Sequence, residues 1–410
     1  MFRISTTILL LVTATAGAVT LPLDRVASYA LARNPQLAAA RLRIEEARGR
    51  LQQNGRLSNP ELELEFTRHT VAPEGSAGIA LMQRFPLTAR LRHEKAVSRA
   101  ELTAAEAEVR DAERKLAAEV RIAAVKLLAL GGQRDLRAKQ LGNSRELSGF
   151  LLKRLEAGEA SLVDVSQVEL ESRQIEVENL MLAADEVVLL GELRPLLGVA
   201  GADRITITGE LPAPKRIPAA TEVIGRPDIL AAQSRAEAAR SVVLEQRARR
   251  FEDFGIGASY VRDRSLDEPD PVETEHIFGL RFSFPLPLWN NNSGRIREAQ
   301  AAATRAELEV DATKLGANAE VFAALSAMRA YARLIGELDD QVLPAATRIE
   351  DQLRNSYSTG QTPLTDVLRA RTRRLELQRQ RLDALREYQL ARIRHAAATA
   401  TTPTSTKSFK

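Results

Sequence analysis

The sequence predicts a mainly α-helical protein with a β-barrel portion, built from two duplicated halves that each run helix, β-hairpin, long helix pair. Three observations carry this. Three landmarks recur in the same order at a nearly constant offset, four short segments alternate apolar and polar residues, and two segments of about 60 to 70 residues contain almost no helix breaker.

In chain order, Met1-Phe2-Arg3, the apolar run Ile8-Leu9-Leu10-Leu11-Val12 and the small residues Ala16-Gly17-Ala18 have the layout of a cleavable secretory signal over residues 1–18. Beyond it no apolar run approaches the ~20 residues that span a bilayer as a helix, so membrane insertion would have to use strands. With no cysteine, disulfides, thiolate metal sites and an N-terminal lipidated cysteine are excluded. Lys and Arg total 58 against 54 Asp and Glu, and the signs alternate along the chain, so no basic stripe points to nucleic acid.

The first repeat is expected over 19–210 and the second over 221–398, joined by a Pro-rich linker at 211–220. Asn34-Pro35-Gln36-Leu37 recurs as Arg226-Pro227-Asp228-Ile229, 192 residues on, and each opens an Ala-rich helix. Phe85-Pro86-Leu87 recurs as Phe284-Pro285-Leu286 after 199 residues, and the turn from Ala157 to Val165 recurs from Thr359 to Val367 after 202.

Strands are expected near 60–68, 76–86, 254–262 and 276–286. In Glu61-Leu62-Glu63-Leu64-Glu65-Phe66 the alternation is strict: Leu62, Leu64 and Phe66 make one face, and Glu61, Glu63 and Glu65 the other. In the fourth strand Phe278, Leu280, Phe282 and Phe284 share a face opposite Arg281. Apolar-out with polar-in is the pattern of a transmembrane barrel, with the first set facing lipid and the second the lumen. A half-buried strand in a soluble sheet is the alternative reading; export and the lack of other strands weigh against it. Four strands cannot close a barrel, and an open edge in hydrocarbon leaves backbone groups unpaired, so further copies of the chain must complete the wall.

From Thr88 to Leu155 the only breakers are Gly131-Gly132, Gly142 and Gly149, and a helix of about 68 residues reaches on the order of 100 Å. The matching stretch from Gly294 to Ser356 contains Gly316, Gly336 and Pro344, expected to bend it without ending it. Leu116, Val120, Ala123, Leu127 and Leu130 recur at spacings of three and four, so these helices pack side by side and keep a wet face. Each pair closes through a glycine turn, Gly158 or Gly360, with Asp164 or Asp366 in the first turn of the following helix, where a carboxylate faces the positive end of the helix dipole.

No catalytic constellation emerges. His69, His93, His276 and His395 lie far apart without zinc-enzyme spacing, no phosphate loop follows a strand, and no metal site or cofactor is expected. Asp263 to Glu275 reads as an extracellular loop, and 399–410 as a disordered tail.

These features together resemble the TolC-like outer-membrane factor family, and within it the heavy-metal, cobalt-zinc-cadmium type. The carriers are Asn34-Pro35-Gln36-Leu37, Ser58-Asn59-Pro60-Glu61-Leu62, Gln83-Arg84-Phe85-Pro86-Leu87, Phe284 through Gly294 (FPLPLWNNNSG) and the two Gly-to-Asp turns. The resemblance covers nearly all of the chain beyond the signal. It implies a homotrimer in the outer membrane, each chain giving four strands to a twelve-stranded barrel and its helices to a periplasmic barrel. It implies a passive duct without catalytic residues, served by a periplasmic adaptor and an inner-membrane RND-type pump. The two turns would form the constricted periplasmic tip, with Gly158, Asp164, Tyr357, Gly360, Asp366 and Arg369 at the gate. Asp164 is expected mainly to cap its helix, and Asp366 to face the pore. Arg369 departs from the second acid that drug-efflux members often carry there. Ducts for drugs or secreted proteins, and a periplasmic coiled-coil scaffold, are the competing readings.

Overall fold

The computed structural model describes residues 18–68, 70, 74–199, 201, 203–219, 223, 225–265 and 273–400. In chain order these form β1 (Ala18–Pro22), α1 (Val26–Arg33), α2 (Pro35–Gln53), β2 (Glu61–Arg68), β3 (Gly75–Phe85), α3 (Arg90–Glu156), α4 (Leu162–Leu197) and β4 (Arg204–Thr208). There follow α5 (Pro227–Ala248), β5 (Phe254–Ser265), β6 (Glu273–Ser283), α6 (Ser293–Glu337), a π-helical turn (Leu338–Val342), α7 (Leu343–Ser358) and α8 (Leu364–Ala398). Helix, hairpin and long helix pair thus follow one another twice. Predicted signal residues 1–17, His69 and tail residues 401–410 lie outside the described residues.

The chain divides into two compact units, 39–111 with 225–316, and 1–38 with 112–224 and 317–410. The first holds an antiparallel four-stranded sheet of order β2-β3-β5-β6, which joins the hairpin of each half through β3 and β5. The fourth strand runs Glu273–Ser283 instead of 276–286, because Pro285 and Pro287 have no N–H to continue the ladder. Phe284 therefore lies just past the strand. The third strand extends to Ser265, so much of the loop expected from Asp263 to Glu275 is strand, with 266–272 outside the described residues.

The second unit is helical apart from β1 and β4, a parallel pair that periodicity did not reveal because five residues are too short to show it. Leu21 and Ile205 of this pair pack with Val26, Ala30, Leu37, Leu116, Val120, Leu193 and Leu197, all buried. Asn34 explains the first landmark. Its Oδ1 accepts from the Leu37 N–H at 2.8 Å, capping α2, while its Nδ2 donates to the carbonyls of Pro195 and Leu196 in the last turn of α4, where the Pro195 carbonyl also accepts from the Gly198 N–H at 3.3 Å. Gly198 ends α4 at φ 65°, and a Cβ there would lie 2.4 Å from the Arg33 carbonyl oxygen.

Helix α3 stays helical through all four of its predicted breakers. Gly132 lets α8 approach, since a Cβ on it would lie 2.9 Å from Leu382 Cδ2. Between α6 and α7 the π turn takes up the missing N–H of Pro344, so the rod continues as helix. Over its described residues, 211–219, the expected linker is strapped down: the Tyr388 hydroxyl bonds both the N–H and the carbonyl of Lys215 at 3.1 Å, Gln389 donates to the Pro212 carbonyl, and Leu211 and Ile217 pack on Met328, Ile335 and Leu385.

Candidate functional site

The sheet register sorts side chains onto two faces. Leu62 lies opposite Leu81, Leu64 opposite Ile79 and Phe66 opposite Ala77. Across β5 and β6, Ile256 faces Phe282, Ala258 faces Leu280 and Tyr260 faces Phe278. All the predicted lipid-facing residues are solvent-exposed in the single chain, Phe278 at 81% and Leu280 at 77%, so this apolar face has no cover among the described residues. Aromatic rows bound it. Phe254 lies 5.8 Å from Phe85 and stacks on Phe284 at 5.6 Å, while Tyr260 contacts Phe278 at 5.0 Å and His276 at 5.9 Å. From Phe254 to Arg262, the first charged residue of β5 on that face, is roughly 26 Å along the strand at ~3.3 Å per residue, the scale of a bilayer's apolar layer. Leu286, Leu288 and Trp289 prolong the exposed apolar surface past β6, with Trp289 94% exposed. The sequence pattern shows no apolar–polar alternation there, so periodicity does not assign this segment to that surface.

The opposite face carries Glu61, Glu63, Glu65 and Arg281. Arg281 approaches Glu63 at 3.8 Å and Arg84 approaches Glu61 at 3.4 Å. Arg281 and Glu63 belong to the two outer strands, about 14 Å apart across three flat ladder spacings. Their long side chains meet by reaching over β3 and β5, where Gly78, Ala80, Gly255, Gly257 and Ser259 leave room. Both pairs are well exposed and stabilise little. A cavity of about 570 Å³ lies here, lined by Glu61, Glu63, Arg84, Asp253 and Arg281 among others.

At the far ends of the helix pairs the two glycine turns differ. Gly158 and Gly360 both have positive φ, 75° and 74°. In the first turn Ser161 caps α4 by accepting from Val163 N–H at 3.1 Å, and Asp164 accepts from Ser161 N–H at 3.4 Å, a reciprocal capping box. Leu151, Val165 and Val168 bury a small core beneath it. In the second turn Pro363 takes the cap position and offers no side-chain bond, so Asp366 has no such duty and lies 3.8 Å from Arg369. Arg369 also lines a cleft of about 230 Å³ with Asn143, Ser144 and Glu171. Tyr357 is 38% exposed, and its carbonyl accepts from Gly360 N–H.

Among the described residues no three His, Asp or Glu side chains are grouped to hold a metal ion, and no helix is long and apolar enough to cross a membrane. His276 is engaged by Tyr260, whose hydroxyl lies 2.7 Å from its Nδ1.

A two-faced open sheet of four strands joined to continuous helices of 67, 36, 45 and 35 residues is the fold of TolC-like channels. The chain belongs to the outer membrane efflux protein family, whose profile matches residues 26–199 and again 222–401. Among solved structures it is similar to the CusC channel (18% identity, TM-score 0.74, 95% of each chain). It is also similar to the outer membrane protein VceC of Vibrio cholerae (22%, 0.72, 92% of this chain and 95% of that one) and to the Campylobacter jejuni CmeC outer membrane channel (16%, 0.75, 92% and 85%). At these identities the likeness is one of fold. No curated protein sequence matches the chain significantly.

Proposed function

We propose that this chain is the outer-membrane subunit of a tripartite efflux system, a passive exit duct for heavy-metal cations. The observation that carries the reading is the sheet: one exposed apolar face, one charged face and two outer strands, β2 and β6, without neighbours among the described residues. Such a sheet is stable in lipid only when other copies pair with both edges, and three copies give a closed wall of twelve strands. Leu62, Leu64, Phe66, Phe278, Leu280, Phe282 and Phe284 then face outer-membrane lipid, and Glu61, Glu63, Glu65 and Arg281 the lumen. The helices form the periplasmic barrel, closed at its tip by Gly158, Asp164, Tyr357, Gly360, Asp366 and Arg369, with a periplasmic adaptor and an RND-type inner-membrane pump supplying the drive. Residues 19–210 and 221–398 are its two repeats, 211–220 the link between them and 1–18 the export signal. Similarity of the landmark sequences to the cobalt-zinc-cadmium branch supports metal cations as cargo.

The cysteine-free chain allows a clean test. Single cysteines are placed along β2 and β6 in pairs and oxidised in the outer-membrane fraction. Cross-linked species stopping at three chains agree with the proposal, whereas only monomers, or an unlimited ladder, refute it. For cargo, deleting the gene should sensitise cells to cobalt, zinc or cadmium salts; unchanged metal tolerance with sensitivity to drugs would refute the metal assignment.

A further inference from the structure

Seven of the nine arginines of α8 are neutralised in place. Arg369, Arg371, Arg373, Arg374, Arg379, Arg381 and Arg386 each pair with a carboxylate, among them Glu146, Glu350 and Asp339 from neighbouring helices. Of the other two, Arg394 is exposed and Arg392 is half-buried. Helices α3 and α8 pack antiparallel, as shown by Arg114 Nη1 donating to the Ala397 carbonyl at 2.8 Å and by Gln133 Nε2 donating to Asp383 Oδ1 at 2.5 Å. Seven residues along α3 from Arg114, and eleven back from Gly132, is Arg121, on the face that Arg114 and Gly132 present to α8. The same register reaches Arg392 on α8. Two guanidiniums therefore confront each other across this seam, both half-buried. Arg121 is held below the ordinary arginine range, first by burial and then by the positive charge of Arg392. Neither has a hydrogen-bond or ion-pair partner among the described residues.

His395 adds a third group. It lies one turn beyond Arg392 on the same side of α8, is buried at 8% exposure, and its Nε2 has no partner. Burial holds its imidazole below the usual histidine range, so at neutral pH it is an uncharged ring with a free polar nitrogen. Partial burial of two like charges is costly without a counter-charge. An oxyanion with several equivalent oxygens relieves it, because each guanidinium fork can donate two parallel N–H bonds to one edge of a tetrahedral anion.

We propose that Arg121, Arg392 and His395 form a binding site for a tetrahedral oxyanion of the phosphate class on the α3–α8 seam. The proposal is independent of what the duct exports. Its test follows helix melting of the full chain in zwitterionic detergent by circular dichroism at constant ionic strength. Chloride is replaced by inorganic phosphate in one arm, and phosphatidylglycerol is added in the other. The midpoint should rise by about 2–4 °C at saturation, since a ligand bound only to the folded state stabilises it. A rise in the phosphate arm identifies the free anion, and a rise only with the lipid identifies a headgroup; either supports the site. Arg121→Gln and Arg392→Gln should each abolish the response and melt no lower than wild type in chloride, because removing either charge relieves the repulsion. Should a Gln variant not fold, Arg392→Lys keeps the charge, loses the fork and should show a reduced response. No response in either arm, or an equal rise in the double Gln variant, would overturn the proposal.

Discussion

The two aspartates of the helix-pair turns occupy matching positions in the sequence, yet their surroundings predict opposite phenotypes. Asp164 accepts from the Ser161 N–H and completes a capping box; Asp366 follows a proline cap and pairs with Arg369. Replacing Asp164 by Ala removes one long hydrogen bond and a favourable interaction with the helix dipole, about 1 kcal/mol together. Opening of the first turn of α4 should become roughly 5-fold more populated, since 1 kcal/mol is about that factor. Replacing Asp366 by Ala removes an exposed ion pair that solvent screens to a few tenths of a kcal/mol, so the turn itself should barely respond. If three copies of Asp366 ring the pore, the substitution deletes three charges there and should change conductance, upward by about 2-fold to 5-fold if the gate opens by up to ~1 kcal/mol. Hydrogen exchange at residues 162–166 and single-channel recording in planar bilayers read the two effects separately. Asp164→Ala should move the first and Asp366→Ala the second. Unchanged conductance for Asp366→Ala removes it from the gate, and faster exchange at 162–166 in that variant would refute the division of roles.

Asn34→Ala should destabilise the helical unit by about 1.5–3 kcal/mol, the loss of an N-cap plus the Leu196 carbonyl left without its Asn34 partner at the end of α4, seen as a lowered denaturation midpoint. A change of less than about 0.5 kcal/mol, the size expected of a plain surface residue, would mean the cap is replaced by water. Trp289 is the sole tryptophan, so its fluorescence should be quenched by lipids brominated high on the acyl chain and not by aqueous iodide; iodide quenching in an inserted trimer would move it out of the lipid interface. For His395 the folded-state pKa is depressed, so its contribution is intact above the unfolded value near ~6.5 and is lost as pH falls through the lower native value. His395→Gln should flatten that part of the stability profile between pH 7 and 5, and a profile identical to wild type would show that His395 does not titrate there.

Much of the architecture was legible because it depends on one-dimensional periodicity. The strict alternation from Glu61 to Phe66 can only place leucine and glutamate on opposite faces, and a stretch such as Arg90–Glu156 without proline has little alternative to helix once its apolar stripe is packed. The repeated Gly-to-Asp turns marked the reversals, since positive φ at Gly158 and Gly360 is a local requirement. What sequence could not supply was anything decided by residues far apart in the chain. The pairing of β1 with β4 joins segments nearly 190 positions apart, each too short to show a period. Asn34 looked like a helix start, but its second task appears only when the end of α4 is brought beside it. The linker looked free until Tyr388 and Gln389 were found holding its backbone. Periodicity shows which face of each element is apolar; the capping of Asp164, the freedom of Asp366 and the confrontation of Arg121 with Arg392 depend on which neighbours the packed helices place within hydrogen-bond reach.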